Sequence, residues 1–434
     1  MLLAAAPPAA VAQAMTSPPG TVQGLFGGEL SPNPARTSQQ ISTWFDISGG
    51  YDNNLDQGDL PPESMVSGYG QTMSGSFRYW RGRTTRSVEA VGRLFTTTSA
   101  TESAARGGDV SLAGNLLMGR RAGTTLSVRA ANESAQLFGA FGPDFDNLES
   151  PSVDAVPVSD VSPPRGAVEN RWLSLSGTGT VFHKWTPRQR TDVQYTRLNR
   201  RPRGGGEGFD SDAQQVTLIH DWGLWSRGGL TAAYRLDHVD QTFFEGVGEP
   251  FRAQTVEAGF RYDRRLSSIR AFNVSFSGGV TQVRPTTATL SRVDGTIEPT
   301  GMFTAGYTLS RRWLVSGAVS RGVTALVGAS LEAFANDVAS VTLNGLITRR
   351  VTLAVNGAWS RGVAVGLSEG SFDASSATAT LQYGFRYGGV FAAYSRYTHQ
   401  LRRLLEVSGS IPPLIERYSV RAGVTLWLPL YGAF

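Results

Sequence analysis

Residues 254–280 read QTVEAGFRYDRRLSSIRAFNVSFSGGV. In the first part, Val256, Ala258, Phe260 and Tyr262 alternate with Thr255, Glu257, Gly259, Arg261 and Asp263. In the last part, Phe272, Val274, Phe276 and Val280 alternate with Asn273, Ser275, Ser277 and Gly279. A period of two puts the apolar set on one face of an extended chain and the polar set on the other; a helix would bring apolar residues back every three or four positions. Between the two runs lies only a short polar turn, flanked by Arg264 and Arg270. The segment predicts two antiparallel strands joined by a tight basic turn.

The same unit recurs along the chain. Residues 229–239, 339–348 and 377–387 alternate in the same way, and short basic turns recur at Arg81-Gly82-Arg83, Arg120-Arg121, Arg311-Arg312 and Arg349-Arg350. Longer polar loops separate these units. The pattern predicts strands at 41–52, 67–80, 84–98, 108–119, 124–135, 169–184, 190–200, 213–224, 229–243, 252–264, 270–283, 299–310, 312–321, 337–348, 350–361, 375–386, 389–400 and 416–428. That is about eighteen, an even number, as in single-chain bacterial barrels. The expected fold is all-β, a transmembrane up-and-down antiparallel β-barrel. The expected location is the outer membrane of a Gram-negative-type bacterium, with both chain termini on the short-turn, periplasmic side.

Composition agrees with this reading. The chain has 434 residues, of which 40% are hydrophobic and 17% charged, with 51 Gly and no Cys. The mean hydropathy of -0.16 is low because only every second residue of a barrel strand faces lipid. Without Cys, thiolate metal sites, thiol catalysis and disulfide scaffolds are excluded. The formal net charge is +5, carried almost wholly by Arg, since Lys184 is the only lysine.

The first fourteen residues, MLLAAAPPAAVAQA, have an apolar run and a small-x-small ending at Ala12-Gln13-Ala14, as a secretory signal peptide has, although a positive n-region is missing. Residues 15–40 are rich in Pro, Ser, Thr and Gly and predict a flexible N-terminal arm before a barrel over 41–434. Aromatic residues next to the expected short turns (Tyr79, Trp80, Tyr262, Trp313, Phe385, Tyr387) and near the long loops (Tyr51, Tyr69, Phe243, Phe244, Trp359, Tyr397) suit girdles at the two membrane interfaces.

Arg421-Ala422-Gly423-Val424-Thr425-Leu426-Trp427-Leu428, with Phe434 closing the chain, resembles the β-signal by which outer-membrane barrels are recognised for insertion. Pro429 and the tail beyond it depart from that pattern. Either the strand continues past Pro429 through a bulge, or Phe434 is unrelated to the signal.

Catalytic chemistry is not visible. His183, His220, His238 and His399 are scattered, and no metal-ligand spacing is present, so neither a metal nor another cofactor is expected. Arg200-Arg201-Pro202-Arg203-Gly204-Gly205-Gly206 has no helix pattern after it and reads as a basic loop rather than a phosphate cradle. No residue stands out as a nucleophile, so no enzyme is expected, and no nucleic-acid partner.

If the apolar face meets lipid, Arg78, Arg93, Arg129, Arg235, Arg261, Arg386, Arg396 and Arg421 point into the lumen, with Asp46, Glu89, Asp192, Asp237 and Glu257. Two readings follow. The charges pair across neighbouring strands and stiffen the wall, as Glu89 with Arg78 and Glu257 with Arg235 could. Or surplus arginines make an anion-selective pore. Residues 136–168, the third and longest loop, carry Asp144, Asp146, Glu149, Asp154 and Asp160. In position and charge this loop resembles the constriction loop of the diffusion porins.

The Arg-lined lumen and strand number also resemble those of alginate-export and related exopolysaccharide-export barrels. That resemblance implies passage of polysaccharide or anionic solutes and a periplasmic export protein as partner. The alternatives are a general diffusion porin for small solutes, or a structural barrel that anchors a surface or periplasmic partner. In each case outer-membrane lipid and lipopolysaccharide surround the chain.

Overall fold

The computed structural model describes residues 39–53, 68–83, 85–99, 105–134, 171–203, 210–242, 251–267, 269–285, 295–310, 312–325, 333–364, 371–385, 387–402 and 414–431. The expected signal peptide, nearly all of the arm, the acidic third loop and Phe434 lie outside the described residues.

The strands are β1 Gln39–Asp52, β2 Gly68–Arg83, β3 Arg86–Ser99, β4 Ala105–Met118, β5 Ala122–Ser134 and β6 Arg171–Thr186. They continue with β7 Gln189–Arg203, β8 Asp210–Trp225, β9 Gly228–Thr242, β10 Phe251–Arg265, β11 Ala271–Pro285 and β12 Thr296–Ser310. The last six are β13 Trp313–Ala325, β14 Ala333–Leu346, β15 Val351–Ala364, β16 Ser371–Phe385, β17 Gly388–Arg402 and β18 Leu414–Tyr431. Every strand pairs antiparallel with its neighbour in sequence, and β18 pairs with β1, so the 18-stranded sheet closes.

The expected boundaries move by a few residues. β12, expected from 299, begins at Thr296, and Pro299 sits inside it opposite Val280. Proline cannot donate to a ladder, and here the strand runs through it. At the other end, β18 runs through Pro429 to Tyr431. Ser42 is opposite Pro429 and Ile41 opposite Tyr431, so the register slips by one residue there. Such a bulge is how a ladder accommodates a residue without an N–H.

The two faces differ as the alternation requires. Phe45, Ile47, Leu94, Leu112, Leu126, Val181, Val256, Phe276, Val319, Val341, Leu381 and Val420 are exposed on the outside. An apolar surface this continuous is untenable in water and suits hydrocarbon. The inner face carries hydroxyls that pair from strand to strand: Thr255 with Thr281 at 2.8 Å, Ser275 with Thr304 at 2.6 Å and Ser395 with Ser419 at 2.7 Å. Thr255 and Thr281 are almost fully buried.

The basic turns share a local device. Ser310 Oγ accepts the Arg312 N–H at 3.1 Å, Thr348 Oγ1 accepts that of Arg350 at 3.2 Å, and Thr186 Oγ1 accepts that of Arg188 at 3.2 Å. In the wider β10–β11 turn, Ser267 Oγ takes the N–H groups of Ile269 and Arg270 at 3.2 and 3.1 Å. A hydroxyl two or three residues before the arginine thus fixes the bend and leaves the guanidinium outside it. The β4–β5 turn instead uses Gly119 at φ 80°, a conformation that side chains resist.

Closure has its own bonds. Asp46 faces Ser74 on one side and Thr425 on the other; it accepts the Thr425 hydroxyl at 2.5 Å and the Ser74 hydroxyl at 3.1 Å. One carboxylate therefore joins β18, β1 and β2. Arg421 adds a hydrogen bond to Ser48 Oγ at 2.9 Å across the same seam. Asp46→Leu removes the acceptor from two hydroxyls and should lower unfolding stability by about 2–3 kcal/mol. Urea unfolding of the barrel in detergent checks this; an unchanged midpoint would show that the seam does not depend on Asp46.

Candidate functional site

The candidate site is the inner wall. Strand parity there is set by the apolar outer face. On β9, Leu230 and Tyr234 are exposed outside, so Thr231, Arg235 and Asp237 point in. By the same parity Arg78, Glu89, Arg93, Arg129, Glu257, Arg261 and Arg421 face the lumen, and so do Asp46 and Asp192.

Arg396 does not. It is exposed, lies opposite Ala377 and Tyr418, and shares its face with Val390 and Tyr394. The inward expectation fails because Phe391-Ala392-Ala393 blurs the alternation of β17: Phe391 points inward, and the outward set runs through Val390, Ala392 and Tyr394. Arg386 lies outside the described residues, as do Asp144, Asp146, Glu149, Asp154 and Asp160. Two aromatics expected in the girdles, Trp80 and Tyr397, also face inward. Phe243 and Phe244 lie outside the described residues.

Ion pairs dominate the wall. Arg78 Nε is bonded to Glu89 across β2 and β3. Arg129 lies 3.6 Å from Asp109 across β4 and β5. Three further pairs lie within single strands: Arg190 with Asp192 at 2.5 Å, Arg235 with Asp237 at 2.9 Å and Arg261 with Asp263 at 3.6 Å. Residues two apart in a strand point to the same side, so Arg-x-Asp on an inner face makes such a pair by itself. This motif, repeated three times, was the readable sign of pairing that the cross-strand expectation overlooked.

The expected pair of Glu257 with Arg235 is replaced. Glu257 accepts from Ser277 Oγ at 3.3 Å. Arg235 reaches Asp237 and Thr255 Oγ1, the latter at 3.5 Å, and Asp237 also accepts from Gln215 at 2.7 Å. Arg93 lies over the Phe95 ring at 5.8 Å, and Arg190 over Phe182 at 4.4 Å, so ring faces hold two of the wall cations.

Sequence reasoning missed Asp109, Arg190 and Arg417 in the wall, the last of them 2% exposed. It also missed Trp44 and Trp427, which lie directly opposite each other on the inner face of β1 and β18. On the outer face near the short turns it missed a polar-aromatic belt. There Thr191 Oγ1 accepts the Trp185 indole N–H at 2.8 Å and lies 2.7 Å from His220 Nδ1. Among the described residues no His, Asp and Glu cluster could hold a metal ion.

A wall of this kind can pass hydrated solutes, because its charges are held in place and balanced locally. Among the described residues it offers no unbroken basic track. Glu89→Gln should unbalance it, costing about 1–3 kcal/mol of stability by loss of a charged hydrogen bond. It should also move the reversal potential toward anion preference by leaving Arg78 uncompensated. Arg78→Leu with Glu89→Leu should recover most of the stability. Urea titration and bilayer recordings of the three proteins check both; equal reversal potentials for wild type and Glu89→Gln would remove Arg78 from the conduction path.

No protein-family model matches the chain, and no curated protein matches it. Solved structures do. OpdQ of Pseudomonas aeruginosa is 9% identical, with 91% of this chain and 98% of that one covered at a TM-score of 0.45. OccAB2 of Acinetobacter baumannii is 8% identical, with 91% and 98% covered at 0.46. OprD of Pseudomonas aeruginosa is 11% identical, with 92% and 98% covered at 0.45.

Proposed function

We propose that this chain is an outer-membrane channel for passive diffusion of small hydrated solutes. The observation that carries the proposal is the pairing of an apolar outer face with a polar inner face in one closed 18-stranded sheet. In lipid, such a sheet leaves no edge and encloses a polar interior. Barrels of sixteen to eighteen strands are wide enough to leave an aqueous channel.

The wall chemistry favours diffusion over passage of a polyanion. Arg78, Arg129, Arg190, Arg235 and Arg261 each have a carboxylate beside them. The surplus of arginine on which anion or polysaccharide passage would rest is thereby much reduced. Small solutes of either sign meet a wall whose field alternates over short distances, and screening by salt flattens it further.

Purified protein in planar lipid bilayers should show ohmic steps with an anion-to-cation permeability ratio within about threefold of unity. Strong anion selectivity would return the polysaccharide or anion reading. Folded, inserted protein without conductance would leave the structural anchor.

A further inference from the structure

On the outer face, five residues stand opposite one another across five strands: Arg197 on β7, Gln214 on β8, His238 on β9, Arg252 on β10 and Arg284 on β11. Gln214, His238, Arg252 and Arg284 lie near the long-loop ends of their strands, and Arg197 lies mid-strand. Arg197 is neutralised by a two-pronged contact with Asp212, at 2.6 and 3.1 Å, and His238 Nε2 lies 3.1 Å from Asp240. Arg252 and Arg284 are different. They are direct Cα partners, both are exposed, and among the described residues neither has a carboxylate beside it.

Like charges placed directly opposite each other destabilise a sheet. Elsewhere on the same rim the signs alternate. Arg321, Asp337, Arg361 and Asp373 stand opposite one another in order across β13 to β16, with Arg321–Asp337 at 3.3 Å and Arg361–Asp373 at 4.0 Å. The paired arginines of β10 and β11 therefore stand out as a site for an anion. Two guanidinium groups side by side fit phosphate oxygens.

What lies below them says what kind of anion. Moving down the two strands, the outward pairs are Gln254 with Gln282, then Val256 with Val280, Ala258 with Gly278, and Phe260 with Phe276. Val256 and Phe276 are each 56% exposed and Val280 50%, so this strip is open to an apolar ligand. From Arg252 to Val256 is about 13 Å along the strand, or roughly 10 Å along the membrane normal at a tilt near 40°. Charge, then amide, then hydrocarbon is the order met across a lipid from phosphate to acyl linkage to chain. The glutamine N–H groups can donate to the linkage carbonyls.

We propose that Arg252 and Arg284, with Gln254 and Gln282 beneath them, bind the phosphate and acyl linkage of a phosphorylated glycolipid in the outer leaflet. The proposal rests on the outer-membrane reading above, because the long-loop side must face that leaflet.

The test uses full-length folded barrel in detergent micelles titrated with bisphosphorylated lipid A, and bound lipid is counted by native mass spectrometry. Arg252→Gln with Arg284→Gln should weaken binding by about tenfold or more, as expected for loss of charge-assisted bonds. Arg321→Gln with Arg361→Gln, on the self-neutral part of the rim, should leave binding unchanged. Fully dephosphorylated lipid A should bind wild type as weakly as bisphosphorylated lipid binds the Arg252/Arg284 variant. Equal binding of bisphosphorylated lipid to wild type and that variant would overturn the site, and so would equal binding of the two lipids to wild type. Heat-modifiable migration confirms that each variant is folded. Conductance is read separately: its loss in all proteins would count against the channel and leave the lipid result standing.

Discussion

Backbone hydrogen bonding is the constraint on which this molecule depends. Hydrocarbon supplies no partner for a peptide N–H or C=O, so a strand in lipid must be paired on both sides. Eighteen strands satisfy this only because β18 meets β1. The alternation of every strand follows from the same fact: one face meets lipid, the other water. Side-chain chemistry then divides by face, with hydroxyls and many ion pairs inside and a largely aliphatic and aromatic surface outside.

The seam shows how closure is secured where no turn helps. β1 and β18 are the ends of the sheet, and neither a short turn nor a long loop brings them together. Asp46 lies between hydroxyls of both neighbours, and Arg421 reaches Ser48. The bulge at Pro429 lets the ladder continue to Tyr431 despite the missing N–H. The seam thus uses polar bonds on the wet side, where they need not be hidden from lipid.

Much of this could be read in the chain. Val256, Ala258, Phe260 and Tyr262 against Thr255, Glu257 and Arg261 gave the period, the short turns gave the hairpins, and their number gave closure. Alternation placed inward arginines such as Arg235 and Arg261, although Arg417 on the equally regular β18 was passed over. It failed at Arg396, where adjacent alanines made the two faces look alike, and at Trp80 and Tyr397, where an aromatic near an interface was taken to face lipid. Pairing was half legible. Arg78 with Glu89 followed from adjacency of strands, whereas Arg235 takes the nearer Asp237 because side chains two apart on one strand need no register at all. The outer juxtaposition of Arg252 and Arg284 was invisible, since it depends on which residue of β10 stands opposite which of β11.

The inner ion pairs have one more property. Arg78–Glu89 lies within β2–β3, Arg129–Asp109 within β4–β5, and the three others within single strands. Each therefore belongs to one hairpin closed by a short turn. On the outer face Arg197–Asp212, Arg321–Asp337 and Arg361–Asp373 each join two different hairpins, while His238–Asp240 lies within β9. The five inner ion pairs are therefore self-contained within their hairpins. Gain or loss of a whole hairpin would keep each of these inner pairs intact, whereas it would break the outer pairs that bridge hairpins.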